Sequence, residues 1–188
     1  MTQEILVSSR KGLFTLARNG GWHIRDADFL GDNVTLAMHD RRSGYRYAAL
    51  DHGHFGAKLH RSCSTGWEEI ATPAYPPKPE DNDEQDMWGR PLPWSTVRIW
   101  ALAAGGLHEP GTIWCGTIPG GLFRSMDGGA SWEIVHSLWH HPQRRNWMGG
   151  GADLPGIHSI VVDPRDHRWV TIGVSTGGLW FTGDGGKS

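Results

Sequence analysis

"GLFRSMDGGASWE", residues 121–133, decides how this chain is read. An aspartate among glycines, with a serine before it and a tryptophan after it, has the residue types of a phosphate loop or a catalytic turn. Its recurrence argues for a different role. "GLWFTGDGGKS" at 178–188 repeats the pattern, and weaker copies stand at 12–22, "GLFTLARNGGW", and at 57–67, "AKLHRSCSTGW". The weak copies lack the aspartate and keep the tryptophan, whereas a catalytic aspartate is expected to be unique. Glycine supplies the positive φ of a tight hairpin loop, Ser/Thr and Asp side chains bond the backbone of their own turn, and tryptophan caps it with apolar area. Ser125, Asp127, Gly129 and Trp132, with Thr182, Asp184 and Gly186 in the second full copy, are therefore assigned to structure.

Repeats set the fold. The closing tryptophans Trp22, Trp67 and Trp132 are 45 and 65 residues apart, and the next would fall at 189, another 57 on. The excess has two sources, the Pro-rich, acidic stretch 73–94, "PAYPPKPEDNDEQDMWGRPLPW", and 139–156, "WHHPQRRNWMGGGADLPG". Both read as loop insertions. Without them the period is that of a four-stranded propeller blade, roughly 40–50 residues. The expected class is all-β, a propeller of four-stranded blades with strands A to D, present as about four partial blades near 1–30, 31–73, 95–138 and 156–188. The first begins at a B strand and the fourth stops after a C strand, which predicts an incomplete ring, read first as the N-terminal part of a longer protein; a short product that pairs with another chain and a four-bladed ring closed in an unusual way are the alternatives. It also predicts exposed strand edges suited to self-association.

The 27 glycines agree with many tight turns, and no segment sustains an apolar helical period. Lys+Arg 18 against Asp+Glu 20 gives a net charge of −2, so no global field recruits nucleic acid or an anionic membrane. No apolar run has the roughly 20 residues that span a bilayer, and the N-terminal stretch lacks the order of a signal peptide. The cytoplasm is the default expectation. Cys63 and Cys115 lack the spacing of a zinc site or disulfide framework and are expected to be buried, inert thiols.

The copies "SMDGGASW" and "TGDGGKS" resemble the Asp-box, or BNR repeat, of sialidase-like propellers. The wider runs "DHGHFGAKLHRS", "GTIPGGLFRSMDGGASWE" and "GGGADLPGIHSIVVDPRD" are similar to bacterial proteins described as BNR-repeat glycosyl hydrolases or exo-alpha-sialidases. The resemblance implies the propeller and, less directly, glycan chemistry, because function lives in sites grafted onto folds. The chain departs from the sialidase pattern. That pattern needs an arginine triad and a tyrosine nucleophile supported by glutamate, but the only tyrosines are Tyr45, Tyr47 and Tyr75, and no Phe-Arg-Ile-Pro segment precedes the first box.

In such a propeller the D-to-A and B-to-C connections share one face, and the aspartate turns, being C-to-D connections, lie on the other. The first face is expected to gather His52, His54, Phe55, Trp88, Trp94, His140, His141, Arg144, Arg145, Trp147 and Asp153, with His158 at the start of an innermost strand. Long loops with aromatic and polar residues are where ligand sites form.

Three readings follow. In the first, a glycan or small polar ligand is bound by His52, His54, Phe55, Trp94, His141, Arg144 and Trp147, with Asp153, His158 or Asp51 as catalytic candidates and Glu80 as a further carboxylate. In the second, His52 and His54 with His158 or Asp153 hold a metal for hydrolysis. In the third, the face is a non-enzymatic platform for a protein partner or an assembly factor, which suits an incomplete ring. No cofactor is required by the first or third. "DPRDHR" at 163–168 and "DRRSG" at 40–44 read as A-to-B turns, and "EDNDEQD" at 80–86 as a solvated loop tip.

Overall fold

The computed structural model describes residues 3–86 and 88–188, so the first two residues of the expected first blade lie outside the described residues. It is all-β, with four antiparallel sheets that are partial blades of a β-propeller. Two compact units divide the chain, one ending at Ile70 and the other beginning at Ala71.

In the first unit, β1 (Gln3–Ser9), β2 (Gly12–Asn19) and β3 (Gly21–Asp28) form a three-stranded sheet. A four-stranded meander follows: β4 (Asn33–His39), β5 (Arg46–Asp51), β6 (Ala57–Cys63) and β7 (Gly66–Ile70). Leu13, Val34, Ala48 and Leu50 form the apolar core between the two sheets.

The second unit repeats the plan. Its four-stranded sheet is β8 (Arg98–Ala104), β9 (Ile113–Ile118), β10 (Leu122–Ser125) and β11 (Glu133–Ile134). A three-stranded sheet follows, β12 (Ile157–Val162), β13 (Val170–Val174) and β14 (Gly178–Thr182). The short helix α1 (His136–Trp139) opens the second insertion. The interior strand β9, "IWCGTI", is buried along its whole length and reads as an unbroken apolar run because both of its faces are covered. Trp114, Leu122, Val135, Ile157, Val170, Ile172 and Val174 join the two sheets. Among the described residues no helix is long and apolar enough to cross a membrane.

Two recurrences show why the blades look alike. The A and B strands of three sheets slip register at the same place, between Val34 and Leu36, Ile99 and Ala101, and Ile157 and Ser159. The bulged residues are Thr35, Trp100 and His158, and a bulge re-aims its side chain.

The second recurrence is the aspartate turn. Ser125 Oγ accepts the N–H of Gly129 at 2.8 Å and donates to Asp127 at 2.8 Å, while Asp127 accepts the N–H and hydroxyl of Ser131 at 2.9 and 2.6 Å. In the second copy Thr182 Oγ1 accepts from Gly186 at 3.1 Å and donates to Asp184 at 2.6 Å. Asp184 accepts the N–H and hydroxyl of Ser188 at 3.1 and 2.6 Å. Gly128 and Gly129 have φ of 73° and 90°, Gly185 and Gly186 of 75° and 87°, values that a side chain would strain. Trp132 donates its indole N–H to the Ala71 carbonyl at 2.8 Å. The carboxylates are thus engaged by their own turns. The Asp127 carboxyl is held down at about 2, first by the Ser131 hydroxyl and then by the Ser131 N–H.

Where the aspartate is missing the hairpins are tighter: β2 and β3 stay paired up to Asn19 and Gly21, and β6 and β7 up to Cys63 and Gly66. Cys63 is half-buried at this turn, with Sγ 3.3 Å from Thr65 Oγ1, which corrects the expectation of two buried thiols. Cys115 is buried, and burial pushes its thiol up. The A-to-B turns behave as expected. Asp40, Asp163 and Asp166 each grip the arginine two residues on through backbone N–H and guanidinium.

Candidate functional site

The D-to-A insertions and the B-to-C turns of the second unit do meet. Tyr75, from the first insertion, donates its hydroxyl to the Pro119 carbonyl in the β9–β10 turn and pairs with the Thr117 hydroxyl. Trp147, from the second insertion, lies over both B-to-C turns. A Cβ built on Gly120 would stand 3.0 Å from its indole, and one on Gly177 2.9 Å. These glycines leave room for one indole between two turns, so Trp147 is buried and serves packing rather than an open ligand surface.

The two insertions also clasp each other. Arg144 and Glu84 are each only 8% exposed and pair at 2.5 Å. The Arg144 guanidinium lies 3.9 Å from the centroid of the Trp139 ring, and its Nε–H donates to the Trp139 carbonyl at 2.5 Å. Trp139 in turn meets Tyr75 and Trp94 edge-to-face, at 5.0 and 5.1 Å. Arg145 bonds Asp83 at 3.0 Å, and Arg90 reaches Asp153 at 3.2 Å.

Glu84 is the residue that sequence reasoning placed wrongly. The acidic run is not a freely solvated tip, because the Leu92 N–H bonds the Glu84 carbonyl at 2.8 Å and Asp86 accepts the backbone N–H groups of Trp88 and Arg90. That hairpin carries Glu84 into the interior. The available signal was the pairing of an acidic insertion with "QRR" at 143–145 in the other.

Beside this clasp is a cleft of about 280 Å³. Asp81, Asn82, Glu84, Trp94, Trp139, His140, His141, Arg144 and Arg145 line it, so three expected ligand residues, Trp94, His141 and Arg144, come together there. His141 is half-buried, accepts the Gln143 N–H through Nδ1 at 3.3 Å and packs edge-on against Trp180 at 4.9 Å. A second cleft, about 200 Å³, lies between Asp83, Glu84, Asp86, Arg144, Arg145 and Trp147. The second oxygen of Glu84 is buried with no hydrogen-bond partner among the described residues, as are the indole N–H groups of Trp94 and Trp139. A carboxylate oxygen and two indole donors without partners are a reserve of unused hydrogen bonding next to these clefts.

The remaining expected residues are placed as follows. Asp153 is exposed, paired with Arg90, and borders a depression that also includes Asp86 and Arg98. His158 is the bulge residue of β12, and its ring meets that of Trp100, the bulge residue of β8, at 6.1 Å. Trp100 was not singled out from the sequence, and only the recurrent bulge reveals it. In the first unit Asp51 accepts the Gly53 N–H at 3.0 Å, opening a turn that carries His52, His54 and Phe55. His54 and Phe55 meet edge-on at 5.6 Å, and Phe55 is 77% exposed. Among the described residues no group of three or more His, Cys, Asp or Glu could hold a metal ion. Burial pushes the Tyr47 hydroxyl up to about 12 and raises that of Tyr75 as well.

The class these features define is the β-propeller, represented by partial blades. The chain is similar to a solved structure of YCF48 bound to a D1 peptide, with a TM-score of 0.58 at 16% identity over 95% of this chain and 47% of that one. It is also similar to the GH74 enzyme of Niastella koreensis, with a TM-score of 0.61 at 16% identity over 98% and 27% of the two chains. A third is the GH74 xyloglucanase of Xanthomonas campestris, with a TM-score of 0.58 at 14% identity over 98% and 26%. The chain therefore spans between about a quarter and a half of the proteins it resembles, and identities this low show the fold alone. No protein-family model matches the sequence, and no curated protein matches it.

Proposed function

We propose that the chain is part of an Asp-box, or BNR-repeat, propeller of the sialidase-like class, and that its insertion-bearing side binds a glycan or small polar ligand. The observation that carries this reading is the cleft of about 280 Å³ in which Trp94 and His141 stand with Asp81, Asn82 and Arg145, backed by the buried Trp139, Glu84 and Arg144. Sugar recognition needs that mixture, since ring C–H faces lie against aromatic side chains and hydroxyls pair with carboxylates and guanidinium groups. The two aspartate turns support the class, because each carboxylate is spent on its own hairpin and leaves any ligand to the loops.

Binding is assigned and turnover is not. Asp153 is held by Arg90, and Asp51 by the Gly53 N–H. A glycoside hydrolase-like reaction would need two carboxyl groups flanking one bond, at about 5–9.5 Å from each other. Metal-dependent hydrolysis through histidine ligands is the alternative, although among the described residues no group of three or more His, Cys, Asp or Glu could hold the ion. A protein-binding role is the second reading, supported by the likeness to a propeller solved with a bound peptide.

A glycan array followed by calorimetry on the hits tests the proposal, with metal analysis of the purified protein alongside. The expected result is a saccharide bound without turnover and weakened at least about tenfold by His141→Ala or Trp94→Ala. Binding that both variants leave unchanged would refute the cleft. Stoichiometric metal would favour the histidines instead.

A further inference from the structure

Both guanidinium groups at the cleft of about 280 Å³ are already engaged by the protein's own carboxylates. Arg144 pairs with Glu84 at 2.5 Å, and the Trp139 carbonyl holds its Nε–H. Arg145 bonds Asp83 at 3.0 Å through Nη1, and its Nε stands 3.6 Å from the same Glu84 oxygen that Arg144 holds. Asp81 also lines the cleft, is exposed, and takes part in no ion pair among the described residues. Three carboxylates, Asp81, Asp83 and Glu84, thus stand against two guanidinium groups. The other titratable side chains of the lining are His140 and His141. With both imidazoles neutral, the surplus is one negative charge, and Asp81 carries it on the open side.

A ligand carboxylate is poorly served by this arrangement. It accepts hydrogen bonds and donates none, so it needs a guanidinium fork or comparable donors turned toward it. Arg144 can turn only by leaving Glu84, 8% exposed, as a buried charge without its partner. Arg145 is more exposed, but an anion that replaced Asp83 there would still share the guanidinium with Glu84.

A hydroxyl meets the opposite situation. One oxygen of Glu84 is buried with no hydrogen-bond partner among the described residues, and so are the indole N–H groups of Trp94 and Trp139. The first needs a donor and the other two need acceptors. A hydroxyl is both, directly or through a bridging water, whereas a carboxylate cannot supply the donor. Asp81 can accept from a further hydroxyl, and Asn82 is tied to the clasp through its Oδ1, which accepts the Glu84 N–H at 3.2 Å.

We propose that the cleft selects an uncharged sugar and rejects acidic ones, sialic and uronic acids included. That selectivity rests on the cleft being the glycan site, and it narrows the ligand class. Ring hydroxyls are bonded by Asp81 and by the unused groups behind the wall, and the apolar ring face lies against Trp94. The resemblance to exo-alpha-sialidases points to an acidic sugar; the charges of this cleft point away from one.

Calorimetry on the intact chain at pH 8, where imidazole is neutral, tests the selectivity. The neutral oligosaccharide bound best on a glycan array is compared with the same core bearing one sialic or glucuronic acid. The neutral form should bind at least about tenfold tighter in about 20 mM salt, and the gap should narrow in about 0.5 M salt. Asp81→Asn removes the charge and keeps a hydrogen-bonding side chain, so it should return about threefold of the acidic form's deficit at an unchanged melting temperature. His141→Ala should weaken the neutral sugar and so place it in the cleft. Equal or tighter binding of the acidic form, with the same loss in His141→Ala, would overturn the selectivity and leave the glycan site standing. An array that binds no saccharide, or binding that His141→Ala leaves unchanged, would remove the glycan site and the selectivity with it.

Discussion

Glu84→Gln tests whether the two insertions form one packed body. The pair is 8% exposed on both sides, and Arg144 is also fixed by the Trp139 ring and carbonyl, so it cannot swing into solvent to find water. Removing one partner of a buried pair typically costs about 3–5 kcal/mol, because the other charge stays buried without compensation. For a chain of this size each kcal/mol moves the melting temperature by about 2–4 °C, which places the fall at roughly 6–20 °C. Arg144→Met retains an apolar stem against Trp139 and should fall at the lower end, since Arg145 Nε stands 3.6 Å from the same Glu84 oxygen. The double variant should recover much of the loss, with a coupling energy of about 2–3 kcal/mol. Near-ultraviolet circular dichroism during thermal unfolding reads this, as Trp139 and Trp94 lie at the clasp. A single-variant cost below about 1 kcal/mol, or additivity in the double variant, would refute the reasoning.

Three further outcomes follow from the same geometry. Asp127→Ala should lose about 1–2 kcal/mol, the range of a lost capping carboxylate, after allowance for its exposure. The folded carboxyl lies near 2, below its unfolded value near 3.8, so the contribution is complete above about pH 4 and vanishes as pH falls through 2. The difference in melting temperature between wild type and variant should close over that window in an acid series. Trp147→Ala should cost about 3–5 kcal/mol, because the indole fills the space over Gly120 and Gly177, and chemical denaturation will measure it. A thiol reagent should titrate Cys63 in the native protein and reach Cys115 only in denaturant; rapid labelling of both would contradict the burial of Cys115.

The blade plan was legible because the turn "SMDGGASW" and its copies mark hairpins whose spacing becomes regular once the two insertions are set aside, and the strands between them are short apolar runs. The insertions were legible as loops for the same reason: prolines and charges break the period. Their interiors were not. Trp147 and Arg144 have the residue types of a ligand site, yet packing claims both. Whether an arginine on a loop faces solvent or a buried glutamate depends on a partner 60 positions away in sequence. Glu84 looked solvated inside "EDNDEQD" because composition cannot show that a hairpin closed by Leu92 turns it inward. Trp100 and His158 become a pair only through a shared bulge, a backbone irregularity that residue types do not announce.

The most direct test of the division between structural turn and ligand-bearing loops is a paired measurement on Asp127→Ala and His141→Ala. Each variant is melted and titrated with the best array ligand. The expected result is a lowered melting temperature with unchanged ligand affinity for Asp127→Ala, and a nearly unchanged melting temperature with at least about tenfold weaker saccharide binding for His141→Ala. Loss of ligand binding in Asp127→Ala at unchanged stability would contradict it.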